Sequence, residues 1–508
     1  MKAALTTHLF TLAIGASLHD VLTRIKAEPQ RFPKMELLYS REDPVQEPVS
    51  IDLPANGIRL RFDGSEQRLR LIEVLDFTKN HITYEGRDLV KPTTQNAASP
   101  ALGGASGPTF KHIYNKFLGP TYAGEYMPPE HDSGMGVYVL SYPGVSFTFD
   151  LPASEYSPDK DVVSQLMASP NLTATSMAVC DGKSWAEARD TLWTKVLPSV
   201  KTNAAVQKSK DVTPDEVSLV KIHGGGKLQL FRKWTNASFW IMLGETTPQQ
   251  LVSEIGPPDA VYRKNDKRMT IHKRGDGRRR NHGGDAGRAD ELTDTDQSSL
   301  MTGSEDNNDE EAVEEQAVDT LSGECFYNYF YLGFDILMST SVPPSPAPPN
   351  SSETDSEKKL VSAKPSRLVA TKLVLHGNIP GSYEFNRHRR CRWEIAYLED
   401  TSTEQKAPSS DTKFNEIQEH LDERWGSLYP PGEGKQRQRG MVLNRGWGDS
   451  PGSSCEFLGG WEDSSGTMAA NLPKRVDGSD DSTTTLFGFP GLVFEVLGNG
   501  YVNAVTVF

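Results

Sequence analysis

Gly57-Ile58-Arg59-Leu60-Arg61-Phe62 alternates apolar and charged residues behind a glycine, the pattern of a half-buried strand leaving a tight turn. Three more stretches repeat it: Gly144-Val145-Ser146-Phe147-Thr148-Phe149, Gly333-Phe334-Asp335-Ile336-Leu337-Met338 and Gly491-Leu492-Val493-Phe494-Glu495-Val496. Ahead of each lies a short segment with apolar residues at its first, fourth, fifth and eighth positions, the stripe of an amphipathic helix. Leu18, Val21, Leu22 and Ile25 form the first stripe, and Phe110, Ile113, Tyr114 and Phe117 the second. Pro248, Leu251, Val252 and Ile255 form the third, with proline where a helix start tolerates it. Phe414, Ile417 and Leu421 make a weaker fourth, and a tyrosine follows each helix (Tyr39, Tyr126, Tyr262, Tyr429). Such copies predict an α+β fold of repeated small modules, each a helix on an antiparallel sheet. Pairing copies buries the half-covered face of each unit, which predicts two lobes.

The copies set the expected boundaries. Module 1 spans 10–84, with Ser17 as helix N-cap and strands at Leu37-Leu38-Tyr39, Val49-Ser50-Ile51 and 69–74. Module 2 spans 108–151. A mixed β-rich block, 152–239, holds a helix within 184–197 and a hairpin around Gly224-Gly225-Gly226. Module 3 spans 240–400, including a strand at Trp393, and module 4 spans 412–508. The separation between helix and Gly-led strand roughly doubles in the last two copies, and the excess is polar, low-complexity sequence. Segments 265–322, 339–367 and 431–485 therefore read as disordered inserts, too poor in apolar residues to offset the entropy of ordering them.

The net charge of -14 argues against non-specific nucleic-acid binding. Cys180, Cys325, Cys391 and Cys455 are too scattered for a disulfide framework or a zinc pattern and read as reduced thiols. No run reaches the ~18 apolar residues of a membrane-spanning helix. The mildly apolar start, interrupted by Thr6, Thr7 and His8, leads into the first helix rather than reading as a secretion signal.

Little in the chain points to catalysis. His223-Gly224-Gly225-Gly226-Lys227 resembles a phosphate loop but lacks its first glycine and the hydroxyl after the lysine, so it reads as a hairpin turn. The histidines form no close His/Cys cluster in sequence, His19 and His420 read as exposed on helix faces, and no metal or cofactor site is expected. No Gly-x-Ser-x-Gly elbow is present. Two basic clusters stand out. Arg263, Lys264, Lys267, Arg268, Lys273, Arg274 and Arg278-Arg279-Arg280 open the first insert and read as a charge-segregated loop, with lipid binding or nuclear import as the functional alternatives. Arg387, His388, Arg389, Arg390 and Arg392 lie between strands, on folded structure. Arg387, Arg389, Arg390 and Arg392 are thus the candidates for an inositol-phosphate or partner contact, since arginine forks suit phosphate. A solvated basic face is the plainer alternative. Pro343-Pro344-Ser345-Pro346-Ala347-Pro348-Pro349 reads as a linker with polyproline character.

Several stretches resemble the phagosome assembly factor family: Leu37-Leu38-Tyr39-Ser40, Gly57 to Asp63 with Leu69 to Val74, Pro143 to Phe149, Tyr327 to Leu337, and Leu373-Val374-Leu375-His376-Gly377-Asn378-Ile379-Pro380-Gly381. They span the chain and skip the inserts. The resemblance implies a non-enzymatic cytoplasmic scaffold in autophagosome (phagophore) formation, partnered by a WD40 β-propeller protein and by phosphoinositide-bearing membrane. The alternative it implies is an adaptor in trans-Golgi to plasma-membrane transport. The N-terminus departs from the family pattern and the inserts are longer than in compact members.

Overall fold

The computed structural model describes residues 4–6, 11–90, 107–121, 124–129, 134–157, 161–169, 172–197, 216–235, 237–263, 324–340, 367–399, 406–428, 440–444 and 483–508. Its architecture is α+β, with several mostly antiparallel sheets and few helices. The first eight-stranded sheet uses β1 (Glu36–Leu38), β2 (Val49–Leu53), β3 (Ile58–Phe62), β4 (Leu69–Val74), β5 (Glu125–Met127), β6 (Met135–Tyr142), β7 (Val145–Pro152) and β8 (Ala174–Cys180). Their order is β1-β2-β3-β4-β8-β7-β6-β5. A four-stranded sheet takes β9 (Val217–Ile222), β10 (Lys227–Arg232), β11 (Ser238–Met242) and, from later in the chain, Trp393–Ile395. The second eight-stranded sheet comprises β12 (Ala260–Arg263), β13 (Cys325–Tyr329), β14 (Phe334–Thr340) and β15 (Leu368–His376). After β16 (Trp393–Ile395) come β17 (Met441–Asn444), β18 (Thr483–Phe489), β19 (Leu492–Leu497) and β20 (Val502–Val507). The order β12-β13-β14-β15-β20-β19-β18-β17 repeats that of the first sheet.

Glycine turns set the hairpins. Gly57, Gly144, Gly333 and Gly491 have φ of 61°, 88°, 86° and 77°, a left-handed region that a Cβ disfavours. Each is followed by its strand, β3, β7, β14 or β19. Several helices start at hydroxyl caps, while α6 (Phe414–Trp425) starts at Lys413 with no side-chain cap bond. Ser17 accepts from Asp20 N ahead of α1 (Leu18–Ala27), and Thr247 closes a reciprocal capping box with Gln250 ahead of α5 (Pro248–Ile255). Ser184 caps the short α4 (Trp185–Thr191). The second stripe forms only three α-helical residues, α2 (Phe110–His112), before widening into a π-helical turn over Ile113–Phe117, and α3 spans Val162–Ala168.

Two cores result. Leu18, Val21, Leu22 and Ile25 of α1 are buried together with strand residues such as Ile51, Leu60, Phe62, Phe147 and Phe149. Leu251, Ile255, Phe414, Ile417 and Leu421 share the second core with Phe334, Leu373, Phe494 and Val505. Each fully buried side chain of this size is worth about 1.5–3 kcal/mol. Val252, expected inside, is 42% exposed.

Three boundaries differ from the sequence reading. The second meander extends past Leu151, because β8 pairs with β7 and closes the sheet against β4. Trp393 does not continue the third meander; β16 runs parallel to β9 and completes the four-stranded sheet β11-β10-β9-β16. The stretch read as insert 431–485 contains edge strand β17, paired to β18. Segments 265–322 and 341–366, the polyproline stretch, Tyr429, Cys455 and all of the first basic cluster except Arg263 lie outside the described residues.

Candidate functional site

The loop from His376 to Arg392 joins the two eight-stranded sheets. Its path is fixed by two buried asparagines in left-handed conformation, Asn378 (φ 47°) and Asn386 (φ 66°). The Asn378 side chain accepts from Asn386 N at 2.7 Å and donates to Gln67 Oε1 at 2.8 Å, while Gln67 Nε2 donates back to the Asn378 carbonyl at 2.7 Å. Gln67 belongs to the turn between β3 and β4, so this reciprocal pair stitches one sheet to the other. Phe385 completes the stitch by entering the first core. The loop also rests on the β13–β14 turn: Arg389 N donates to Phe330 O, and His376 N donates to Gly333 O.

The candidate arginines occupy this junction. Arg389 pairs with both carboxylate oxygens of Asp20 on α1 and, at 3.0 Å, with Glu216. Arg390, whose side chain is 1% exposed, donates to the carbonyls of Ser65, Gly377 and Ser410 and to Asp411 Oδ1, all at 2.7–3.0 Å. Arg392 bridges Glu66 and Asp411 at 3.3 and 3.2 Å. Glu66 also takes Lys233, and Glu216 also takes Arg68. Arg387, 43% exposed and paired to Glu384, is the only one of the four facing largely outward. The expected basic face is therefore not available as such: Arg389 and Arg390 are committed to internal carboxylates and carbonyls. Asp20 lies 369 positions from Arg389 and Ser65 lies 325 from Arg390, and no sequence spacing announces either pairing.

The electrostatics follow from that pairing. Burial alone would raise the pKa of Asp20, but hydrogen bonds from His19 and Arg389 and the Arg389 charge hold it well below the carboxylate range. Burial likewise opposes ionisation of Glu216, Glu66 and Asp411, yet all three are lowered, chiefly by the charges of Arg68 with Arg389, of Lys233, and of Arg390 with Arg392. Burial pushes the Arg390 pKa down against the Asp411 charge. It pushes the Cys391 thiol up to about 12, so that cysteine is an inert core residue.

A second cluster lies against the loop. Asp335 Oδ2 accepts from His376 Nε2 at 2.9 Å, and its Oδ1 accepts from His388 Nε2 at 3.0 Å and Asn328 Nδ2 at 2.8 Å. The two imidazoles stack, with centroids 3.7 Å apart and planes 10° from parallel. These three residues are close enough to hold a metal ion, a grouping that residues 41 and 53 positions apart hide in the sequence. The donor geometry does not fit one. Stacked rings hold their Nε2 atoms in two separate, nearly parallel planes, each on its own oxygen, instead of converging on a shared point. The arrangement is a carboxylate receiving three N–H donors, the Nε2–H of each imidazole and the Nδ2–H of Asn328. Burial, followed by the neighbouring His376, lowers His388 to about 4, while the hydrogen bonds of both imidazoles outweigh burial and hold Asp335 ionised.

His19, read as exposed, is buried, its ring edge-on to Tyr331 at 5.7 Å and beside Asp20. His420 is half-buried on α6. The His223 loop is the expected hairpin turn, with Gly224, Gly225 and Gly226 all at positive φ and Trp240 packed against the His223 ring. No helix among the described residues is long and apolar enough to cross a membrane.

A family model described as Phagosome assembly factor 1 matches residues 8–285 and 360–508, which include the first eight-stranded sheet, the second except β13 and β14, and the loop from His376 to Arg392. A PHAF1 protein of Arabidopsis thaliana is 23% identical over 506 residues, covering 98% of this chain and 90% of its own. One from Caenorhabditis elegans is 24% identical over 424 residues (80% and 78%), and one from Drosophila melanogaster is 21% identical over 518 (97% and 90%). No solved structure matches.

Proposed function

The chain belongs to the phagosome assembly factor 1 family, and from that premise we propose that it is a non-enzymatic scaffold of autophagosome formation, acting with a WD40 β-propeller partner at phosphoinositide-bearing membrane. The observation that carries this reading is the extent of the family match, which covers the first sheet, most strands of the second and the loop that clamps them. In this reading the chain is four copies of one helix-plus-meander unit, two to a lobe, and the clamp makes the lobes a single platform. Because Arg389 and Arg390 are spent internally, headgroup contact falls to the partnered complex rather than to the arginine cluster.

The test is affinity purification of the tagged full-length chain from fed and starved cells, with mass spectrometry. A stoichiometric β-propeller protein, and starvation-induced puncta of the chain, are expected. Recovery of Golgi coat or tether proteins alone, with constant perinuclear spots, would replace this reading with trans-Golgi transport.

A further inference from the structure

The four-stranded sheet ends at β11, which is paired on one side only, to β10. Leu243 N donates to Gly226 O and Arg232 N donates to Ala237 O, so the odd-numbered residues of this strand turn their backbone toward β10. Antiparallel alternation then points the N–H and C=O of Ser238, Trp240 and Met242 to the open side. Met242 is already satisfied there: its N donates to Thr246 Oγ1 at 2.8 Å and its O accepts from Thr246 N at 2.9 Å. Trp240 and Ser238 are left as the open part of the edge. Beside them a cavity of about 510 Å³ separates the strand from α5, lined among others by Phe239, Trp240, Leu251, Glu245 and Glu254. Trp240 is 46% exposed, which gives an arriving chain an aromatic surface next to the free backbone.

Charge narrows the occupant. The lining holds two carboxylates against one guanidinium, Arg367, which donates to the Glu245 carbonyl. Glu254 is paired with Arg232 at 3.5 Å, whereas Glu245 has no ion pair among the described residues. The whole chain adds a charge of -14. We propose that the Ser238–Trp240 edge binds an extended basic segment of a partner protein as a fifth strand, its main chain paired to Trp240 and a lysine or arginine set against Glu245. This inference stands apart from the family assignment, since it uses only the free edge, the cavity and its charge.

The test is fluorescence anisotropy of the full-length chain with a labelled heptapeptide of alternating Lys and Val. Saturable binding is expected, at least tenfold stronger than for the Glu/Val counterpart. N-methylation of alternate peptide amides, which removes main-chain donors on one edge and keeps every side chain, should weaken it at least tenfold. Trp240→Pro should do the same, since proline on an open edge loses only an outward donor. Glu245→Lys with Glu254→Lys, which leaves the backbone intact, should reverse the charge preference. No saturable binding, binding indifferent to both N-methylation and Trp240→Pro, or preference for the acidic peptide would each overturn the proposal. So would a dimer abolished by Trp240→Pro, which would make a second copy the occupant.

Discussion

Replacing Arg390 with alanine should uncouple the two sheets. The guanidinium satisfies three carbonyls and the Asp411 carboxylate, and its acceptors come from the first sheet's β3–β4 turn (Ser65), from the loop (Gly377) and from the segment ahead of α6 (Ser410, Asp411). Removing one partner of a buried ion pair costs about 3–5 kcal/mol, because the other charge stays buried without compensation. Asp411 keeps Arg392 and Ser65, which places the expected loss near 3 kcal/mol, at the lower end of that range. Arg390→Lys keeps the charge but lacks the planar fork, so it should recover only part of the loss. Equilibrium urea unfolding followed by tryptophan fluorescence is the assay. The wild type should unfold in one transition and Arg390→Ala in two, the sheets having lost their shared network. A single transition displaced by less than 1 kcal/mol in the alanine variant would refute the assignment of Arg390 as the coupling residue.

Other outcomes follow from the same geometry. His388 is held neutral to about pH 4, whereas an unfolded imidazole titrates near 6.5. The unfolded chain therefore binds a proton in that window that the folded chain does not, and stability should fall as pH drops from 6.5 to 4, by up to about 3 kcal/mol. Urea midpoints at pH 7 and pH 5 should differ less in His388→Gln, which removes the titrating ring. The carboxylates of Asp20, Glu66, Glu216 and Asp411 are shifted down on folding, so their contribution is complete above pH ~4 and drains as pH falls through the folded values; Asp20→Asn should flatten that acid limb. Gly57→Ala and Gly333→Ala should each lower the thermal midpoint more than Gly491→Ala. A Cβ at Gly57 meets Asp76 Cβ at 2.6 Å and one at Gly333 falls on the Arg389 carbonyl, while at Gly491 the nearest atom is 3.5 Å away. Equal shifts in all three would show that φ alone, at about 1 kcal/mol, sets the cost.

The Gly-led strands and the Ser17 cap were readable because both are local: alternation sets a strand's buried face, and Ser17 meets its partner within three residues. The π-helical turn was not, since the Phe110 to Phe117 stripe fits a regular helix as well. His19 shows a deeper reason for failure. The polar face of an amphipathic helix is normally solvated, but that of α1 packs on Tyr331 and Arg389 in a second, polar interface. The arginine cluster was visible as charge and invisible as structure, because its neutralising carboxylates come from residues 20, 66, 216 and 411. The Asp335 cluster was hidden in the same way by its separation from His376 and His388.

The ion pair between Asp20 and Arg389 joins residues 369 positions apart. At about 5–20 residues per second, a ribosome takes roughly 20–75 s to travel between them. In the later part of that interval, once β8 has ended at Cys180, every strand of the first sheet is made while Arg389 and Phe385 are not. A nascent chain arrested between Cys180 and the loop carries all the strands of the first sheet with a raw acidic and apolar seam. Arrival of the loop closes that seam, so the covering of the first sheet is finished only late in the chain.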